Sequence, residues 1–322
     1  VAISSPFRAL TPRPLPASRQ TGYCLFPMSD PIAHAIATRL AALQAAQRLS
    51  AWSLIVSFLG DAIGPRGGVV SAGTVQALMG RLGIGHGAVR TAVSRLSADG
   101  WIERSREGRN GFYRLAPDVA GTVLSAERRI YAAASLLPAE TPRSLVIASD
   151  PFSGASLRAL EALGALQLAP LLALCFCPAS DLPESLSPPG ATIAAQPALT
   201  PGAAMLDRLA EARQSAEIKA LNAAYLPVRA VLDRHPAPSP EDAMALRCLM
   251  IHEWRRVALK VLPIPADLLQ TGDPEPKTRA LIAAIYQRLL APSEAWLDAN
   301  AATPSGPLPP PDKRLGARFG RA

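Results

Sequence analysis

Between residues 72 and 115 short apolar-periodic segments alternate with glycine turns, and few folds accept that spacing. Thr74 to Leu82 puts Val75, Leu78 and Met79 on one side of a helix. Gly83-Ile84-Gly85 then forces a tight turn with one apolar plug, as a helix-turn-helix requires between its helices. A further helix is predicted from about His86 to Asp99, stopped by Gly100. Its inward face is Val89, Ala92, Val93 and Leu96; the opposite face presents Gly87, Arg90, Thr91, Ser94 and Arg95. Upstream, Trp52, Ile55, Val56 and Leu59 give a preceding helix a buried side ending at Gly60, and Arg66-Gly67-Gly68 turns the chain.

Trp101 to Ser105 and Gly111 to Leu115 read as short strands joined by residues 106–110, a hairpin wing. Together these elements predict a winged helix-turn-helix that docks on double-stranded DNA. Arg90 and Arg95 suit guanine edges, which guanidinium binds bidentately, and Thr91 and Ser94 suit phosphate or base. Arg104, Arg106, Arg109 and Arg114 of the wing are placed for phosphates or the minor groove. Charge location agrees: residues 51–115 carry eight Arg against four acids, so half of the chain's net +8 sits in a fifth of its length. The competing reading is a helix-turn-helix used as a protein-interaction module.

The 322 residues allow two or three domains. Residues 1–30 read as a disordered, Pro-rich extension, with Met28 as the expected native start and no apolar signal core. The DNA-binding domain is expected over 31–118, with the stretch from Ile32 to Leu49 as a helical arm. A central α+β unit is expected over 119–236: a helix over 123–137, strands near 144–148, 166–177 and 192–198, and helices over 154–163 and 203–224. A helical unit follows over 237–300, in which Ala243, Leu246, Met250, Trp254, Val257 and Val261 share one side of a first helix. Residues 301–322 read as a disordered basic tail. The longest apolar stretch, 163–178, is too short to span a membrane, so a cytoplasmic protein without membrane partners is expected. Cys24, Cys175, Cys177 and Cys248 lack metal-ligand spacing and are expected to be free thiols, with no metal and no cofactor.

The runs Trp52-Ser53-Leu54-Ile55, Arg66-Gly67-Gly68, Val89-Arg90-Thr91-Ala92-Val93-Ser94-Arg95-Leu96 and Tyr113-Arg114-Leu115 resemble the PaaX family of phenylacetate-pathway repressors. Ile251-His252-Glu253-Trp254-Arg255-Arg256 and Leu262-Pro263-Ile264-Pro265-Ala266-Asp267 look like that family's third domain. The resemblance implies a multi-domain α+β protein: an N-terminal winged helix-turn-helix, a central ferredoxin-like (Cas2-type) domain and a C-terminal helical domain. It also implies a homodimer on an inverted-repeat operator, released by an aryl-acyl-CoA.

His252-Glu253 lacks the second His of a zinc-protease helix, since position 256 is Arg. His252, Arg255 and Arg256 are instead candidates for binding an effector's phosphate or carboxylate, against the alternative of a solvated polar face. Asp150, after the first central strand, supports a weaker alternative, a metal-dependent nuclease of the Cas2 type; a turn residue before Pro151 is its plainer role. No catalytic triad or phosphate-binding fingerprint is present, so an enzyme is not expected.

Overall fold

In the computed structural model the described residues are 31–186, 189–196, 199–235 and 238–320. The expected extension, its Met28 start and Cys24 lie outside them.

Helix α1 (Pro31–Ala45) comes first, then α2 (Ala51–Phe58), capped by Ser50, whose hydroxyl accepts from Ser53 N. Gly60 does not end this segment. The chain continues through a π-helical turn, Leu59–Ile63, which buries Asp61. After the turn at Gly67 (φ 86°) and Gly68 (φ 77°) come β1 (Val69–Ser71), α3 (Ala72–Arg81) and α4 (His86–Ala98). Strands β2 (Ile102–Glu107) and β3 (Asn110–Leu115) form the expected hairpin, and β1 adds to its β3 side. The hairpin is longer than its sequence implied because Arg106, Glu107 and Asn110 join the ladder, leaving a two-residue loop, Gly108-Arg109. Positive φ at Gly108 (58°) but not at Arg109 is the pattern of a type II′ turn.

Helix α5 (Pro117–Ile130) leads through β4 (Leu136–Leu137) to β5 (Ser144–Ile147), α6 (Ala155–Leu163), β6 (Leu166–Ala169), β7 (Leu172–Cys175) and β8 (Thr192–Ala195). The expected single strand over 166–177 is thus a hairpin. The sheet order is β6-β7-β5-β8, antiparallel throughout, and its faces pack into two small cores around Val146 and Leu174. The expected long helix over 203–224 is two helices, α7 (Ala203–Ala212) and α8 (Ser215–Arg234), broken at Gln214 (φ 55°).

Helix α9 (Pro240–Ala258), β9 (Ile264–Pro265) and α10 (Pro274–Asn300) complete the helical part. The sequence assigns α9 one apolar side, yet every residue from Asp242 to Trp254 is buried. It runs between α2 and α5 on one hand and α8 and α10 on the other, so its polar residues need partners inside the protein. Arg247 and Glu253 have them, whereas His252 is met at one ring nitrogen only. Helix α1 packs chiefly on α8 and α9, not on α2 to α4 as the expected arm would. One continuous core joins α2, α3 and α4 to α8, α9 and α10.

The expectation of a disordered tail fails for residues 301–320. They form β10 (Ala302–Thr303), β11 (Gly306–Pro307) and α11 (Lys313–Gly316), then bury Arg318. Pro65 O accepts from Asp312 N at 2.8 Å, and Tyr131 O accepts from Phe319 N at 2.7 Å. Composition misleads here because Arg314 and Arg318 reach carboxylates far away in sequence, Glu127 for both and Asp61 for Arg318.

Candidate nucleic-acid interface

Helix α4 is amphipathic in the way its spacing predicts. Val89, Ala92, Val93 and Leu96 are buried, while Arg90, Thr91, Ser94 and Arg95 are all exposed. The Gly83 turn (φ 74°) sets its angle to α3, and Ile84 N donates to Met79 O at 2.9 Å, holding the plug residue in place. Trp52 and Trp101 meet edge-to-face at 5.3 Å, tying the far end of α4 back to α2. Thr91 Oγ1 donates to Gly87 O at 3.0 Å, which leaves its oxygen able to accept. The guanidiniums of Arg90 and Arg95 have no hydrogen-bond or ion-pair partner among the described residues, so their five donors are free.

The wing arginines are not equivalent. Alternation along β2 and β3 puts Arg104 and Arg106 on one side of the ribbon with Tyr113, and Arg114 on the other, opposite Glu103. Arg114 Nε donates to Glu103 Oε2 at 2.7 Å, so its charge is compensated. Arg106 Nε donates to Gly108 O at 3.1 Å and braces the loop. Arg104 and Arg109 are exposed and unpartnered among the described residues, which makes them the wing's free cations.

The effector candidates do not converge on one pocket. His252 is fully buried; its Nε2 lies 3.4 Å from Arg48 O, and its Nδ1 has no partner. Burial first, then the Arg255 charge, push its pKa down to about 4, so it is neutral at physiological pH. Arg255 Nε donates to Ser57 Oγ at 2.7 Å, and its Nη2 to Ser53 O at 3.1 Å. It is a clamp on α2 rather than a free cation, with its pKa lowered to about 10 by burial first and then by Arg256. Arg256 alone is exposed, at the rim of a cavity between α1, α8 and α9. Asp150 is exposed, with Ser149 Oγ at 3.4 Å, and no cluster of three or more metal-ligating side chains forms among the described residues.

What the sequence does not disclose is the seam beneath the interface. Asp61 is 2% exposed and accepts from Arg247 Nε (2.7 Å), Tyr131 Oη (2.6 Å), Tyr286 Oη (3.0 Å) and Arg318 Nη1 (2.8 Å). Burial alone would raise its pKa, but the Arg247 and Arg318 charges more than reverse this and hold it below the ordinary carboxylate value. Arg66, also buried, donates to Glu294 (3.1 Å), Asp298 (2.5 Å) and Pro309 O (2.8 Å). Arg81 pairs with Asp242. An acid inside an apolar run, such as Asp61 after Phe58-Leu59, is the one sequence signal that could have revealed such a hub.

Comparison with known proteins fits this layout at both ends. The family described as PaaX-like protein matches residues 50–119, which span α2 to the start of α5, and the PaaX-like C-terminal domain matches 210–299. The transcriptional repressor PaaX of Escherichia coli (strain K12) is 32% identical over 288 residues, covering 84% of this chain and 90% of that protein. The chain belongs to the PaaX family. Its PaaX-like C-terminal match begins before α8, consistent with the packing of α8 on α10 and unlike an expected boundary at 237. A solved structure of an uncharacterised Mycobacterium tuberculosis protein is 17% identical and superposes with a TM-score of 0.47 over 76% of this chain and 98% of that one. No helix among the described residues is long and apolar enough to cross a membrane.

Proposed function

We propose that this PaaX-family chain is a transcriptional repressor that reads duplex DNA with α4 and grips the adjacent backbone with the β2–β3 wing. The observation that carries the reading is the face of α4: Arg90, Thr91, Ser94 and Arg95 are all exposed, and both guanidiniums are unpaired among the described residues. Small hydroxyls between two free guanidiniums suit a groove-bound helix, where Arg pairs with guanine edges and Ser or Thr reaches phosphate or base. The name of the 32% identical Escherichia coli relative supports repression.

The finer reading follows the family resemblance. The protein acts as a cytoplasmic homodimer on an inverted repeat, controls phenylacetate or related aromatic-acid catabolism, and leaves its operator when an aryl-acyl-CoA binds. The sheet order β6-β7-β5-β8 with α6 crossing from β5 to β6 supports a ferredoxin-like central unit. Its second crossover is reduced to two 3₁₀ turns, Ala179–Asp181 and Glu184–Leu186. Exposed Ile147 and Leu171, at one end of that sheet, fit a dimer contact.

Capture and sequencing of genomic fragments with the purified protein, with and without candidate aryl-acyl-CoAs, tests the proposal. Enrichment of a two-fold repeat that the acyl-CoA abolishes is the expected result. Salt-insensitive or absent duplex retention would refute it.

A further inference from the structure

Gly87 is the bare position in the exposed row of α4, among Arg90, Thr91, Ser94 and Arg95. Its backbone is helical, without the positive φ that requires glycine at Gly83 (74°) and Gly100 (71°). A Cβ added at Gly87 would meet no atom within 4 Å, so packing does not require glycine there either. Glycine within a helix is less stable than alanine. The fold therefore gains nothing from the missing side chain. Gly80 of α3 and Gly121 of α5 are equally open, so the vacancy acquires meaning only from its place.

That place is the middle of the face. At 3.6 residues per turn, Gly87, Thr91 and Ser94 fall within an arc of about 60°, with Arg90 on one flank and Arg95 on the other. The two flanking guanidiniums have no partner among the described residues. Thr91 Oγ1 is turned back onto Gly87 O at 3.0 Å, so that hydroxyl lies against the helix rather than standing out from it. The face is low along its centre, lowest at Gly87, and long at both edges.

We propose that Gly87 is a specificity-determining position, where the edge of a base pair comes into van der Waals contact with the α4 backbone between the two arginines. This deepens the reading of α4 as the duplex-binding helix and rests on it. A methyl group at position 87 would stand about 1.5 Å off the backbone. An N–H···O bond tolerates a spread of only ~0.5 Å. Holding the base edge away by that much misaligns the contacts of Arg90 and Arg95 together. Phosphate contacts carry no sequence information and depend less on such close seating.

The test is fluorescence anisotropy of the full chain on the duplex most enriched by genomic capture, against a scrambled duplex of the same length and composition. Gly87→Ala is expected to weaken the enriched duplex by about tenfold and the scrambled one little. Its melting temperature should hold or rise by about a degree or two, since alanine favours the helix. Gly87→Leu, bulkier but still a good helix former, should lose more. Gly121→Ala, equally open but on α5, should leave both duplexes bound as before. Undiminished binding of the enriched duplex by Gly87→Ala and Gly87→Leu overturns the proposal. So does equal weakening on both duplexes, or a lower melting temperature in Gly87→Ala, which would make the glycine a need of the fold. Arg90→Ala/Arg95→Ala in the same assay keeps the two readings apart. If that variant loses the enriched duplex while the Gly87 variants keep it, only this inference fails; if it too keeps the duplex, the α4 reading has failed.

Discussion

Arg247 of α9 donates through Nε to Asp61 Oδ2 at 2.7 Å, with both side chains sealed from solvent and 186 residues apart in sequence. Around this pair, Arg318 arrives from the C-terminal tail and Tyr131 and Tyr286 from two further segments. Helices α2, α3 and α4 and the C-terminal helices α8, α9 and α10 are therefore one packed body.

Breaking that pair should be expensive. Arg247→Ala leaves the Asp61 carboxylate buried with fewer counter-charges, and loses about 3–5 kcal/mol of stability. Urea unfolding monitored by tryptophan fluorescence measures this. A loss below ~1 kcal/mol would mean that water or Arg318 replaces the missing guanidinium.

Truncation after Leu308 removes Arg318 from Asp61 and Phe319 from its aromatic contacts with Tyr131 (5.4 Å) and Tyr286 (5.5 Å). A disordered tail would be silent on removal. Here the midpoint of thermal unfolding should fall by several degrees, as expected for a loss of a few kcal/mol.

On the interface, Arg90→Ala and Arg95→Ala should each weaken operator binding by about 1–3 kcal/mol if they read base edges, without altering the melting temperature. Fluorescence anisotropy against operator and scrambled duplexes distinguishes the two roles. A base reader loses its preference for operator, whereas a phosphate contact weakens both duplexes alike.

The wing arginines should separate by their partners. Arg104→Ala and Arg109→Ala are each expected to reduce the slope of log affinity against log salt by about one. Arg114→Ala should leave the slope nearly unchanged, because Glu103 already compensates that charge. Equal slopes for all three would show that the Glu103 pair opens on DNA.

His252 makes stability depend on pH in a defined window. Its folded pKa of about 4 lies below the ordinary value of 6.5, so the unfolded chain takes up a proton first as pH falls. The contribution is fully present above pH 6.5 and is lost progressively towards pH 4, by about 3 kcal/mol in total. His252→Gln should flatten the stability profile across that interval.

Local chemistry was legible wherever neighbours in sequence are neighbours in space. The Gly83-Ile84-Gly85 turn, the buried and exposed faces of α4 and the hairpin depend on spacings of a few residues, and the structure holds them nearly as read. Strand β1 escaped because three residues are too few to show alternation, and the break at Gln214 because nothing in Ala-rich helix text marks it.

Helix α4 with its exposed arginines, the β2–β3 hairpin and the family resemblance were all legible before folding, since periodicity, glycine turns and clustered arginines are short-range patterns. Only the tertiary structure decided which arginines are free. Arg66, Arg213, Arg247 and Arg318 look no different in sequence from Arg90 or Arg95, but they find carboxylates contributed by distant segments. A charge's role is set by what folding brings within a few ångströms of it, and pairings across two hundred residues leave no trace in local spacing.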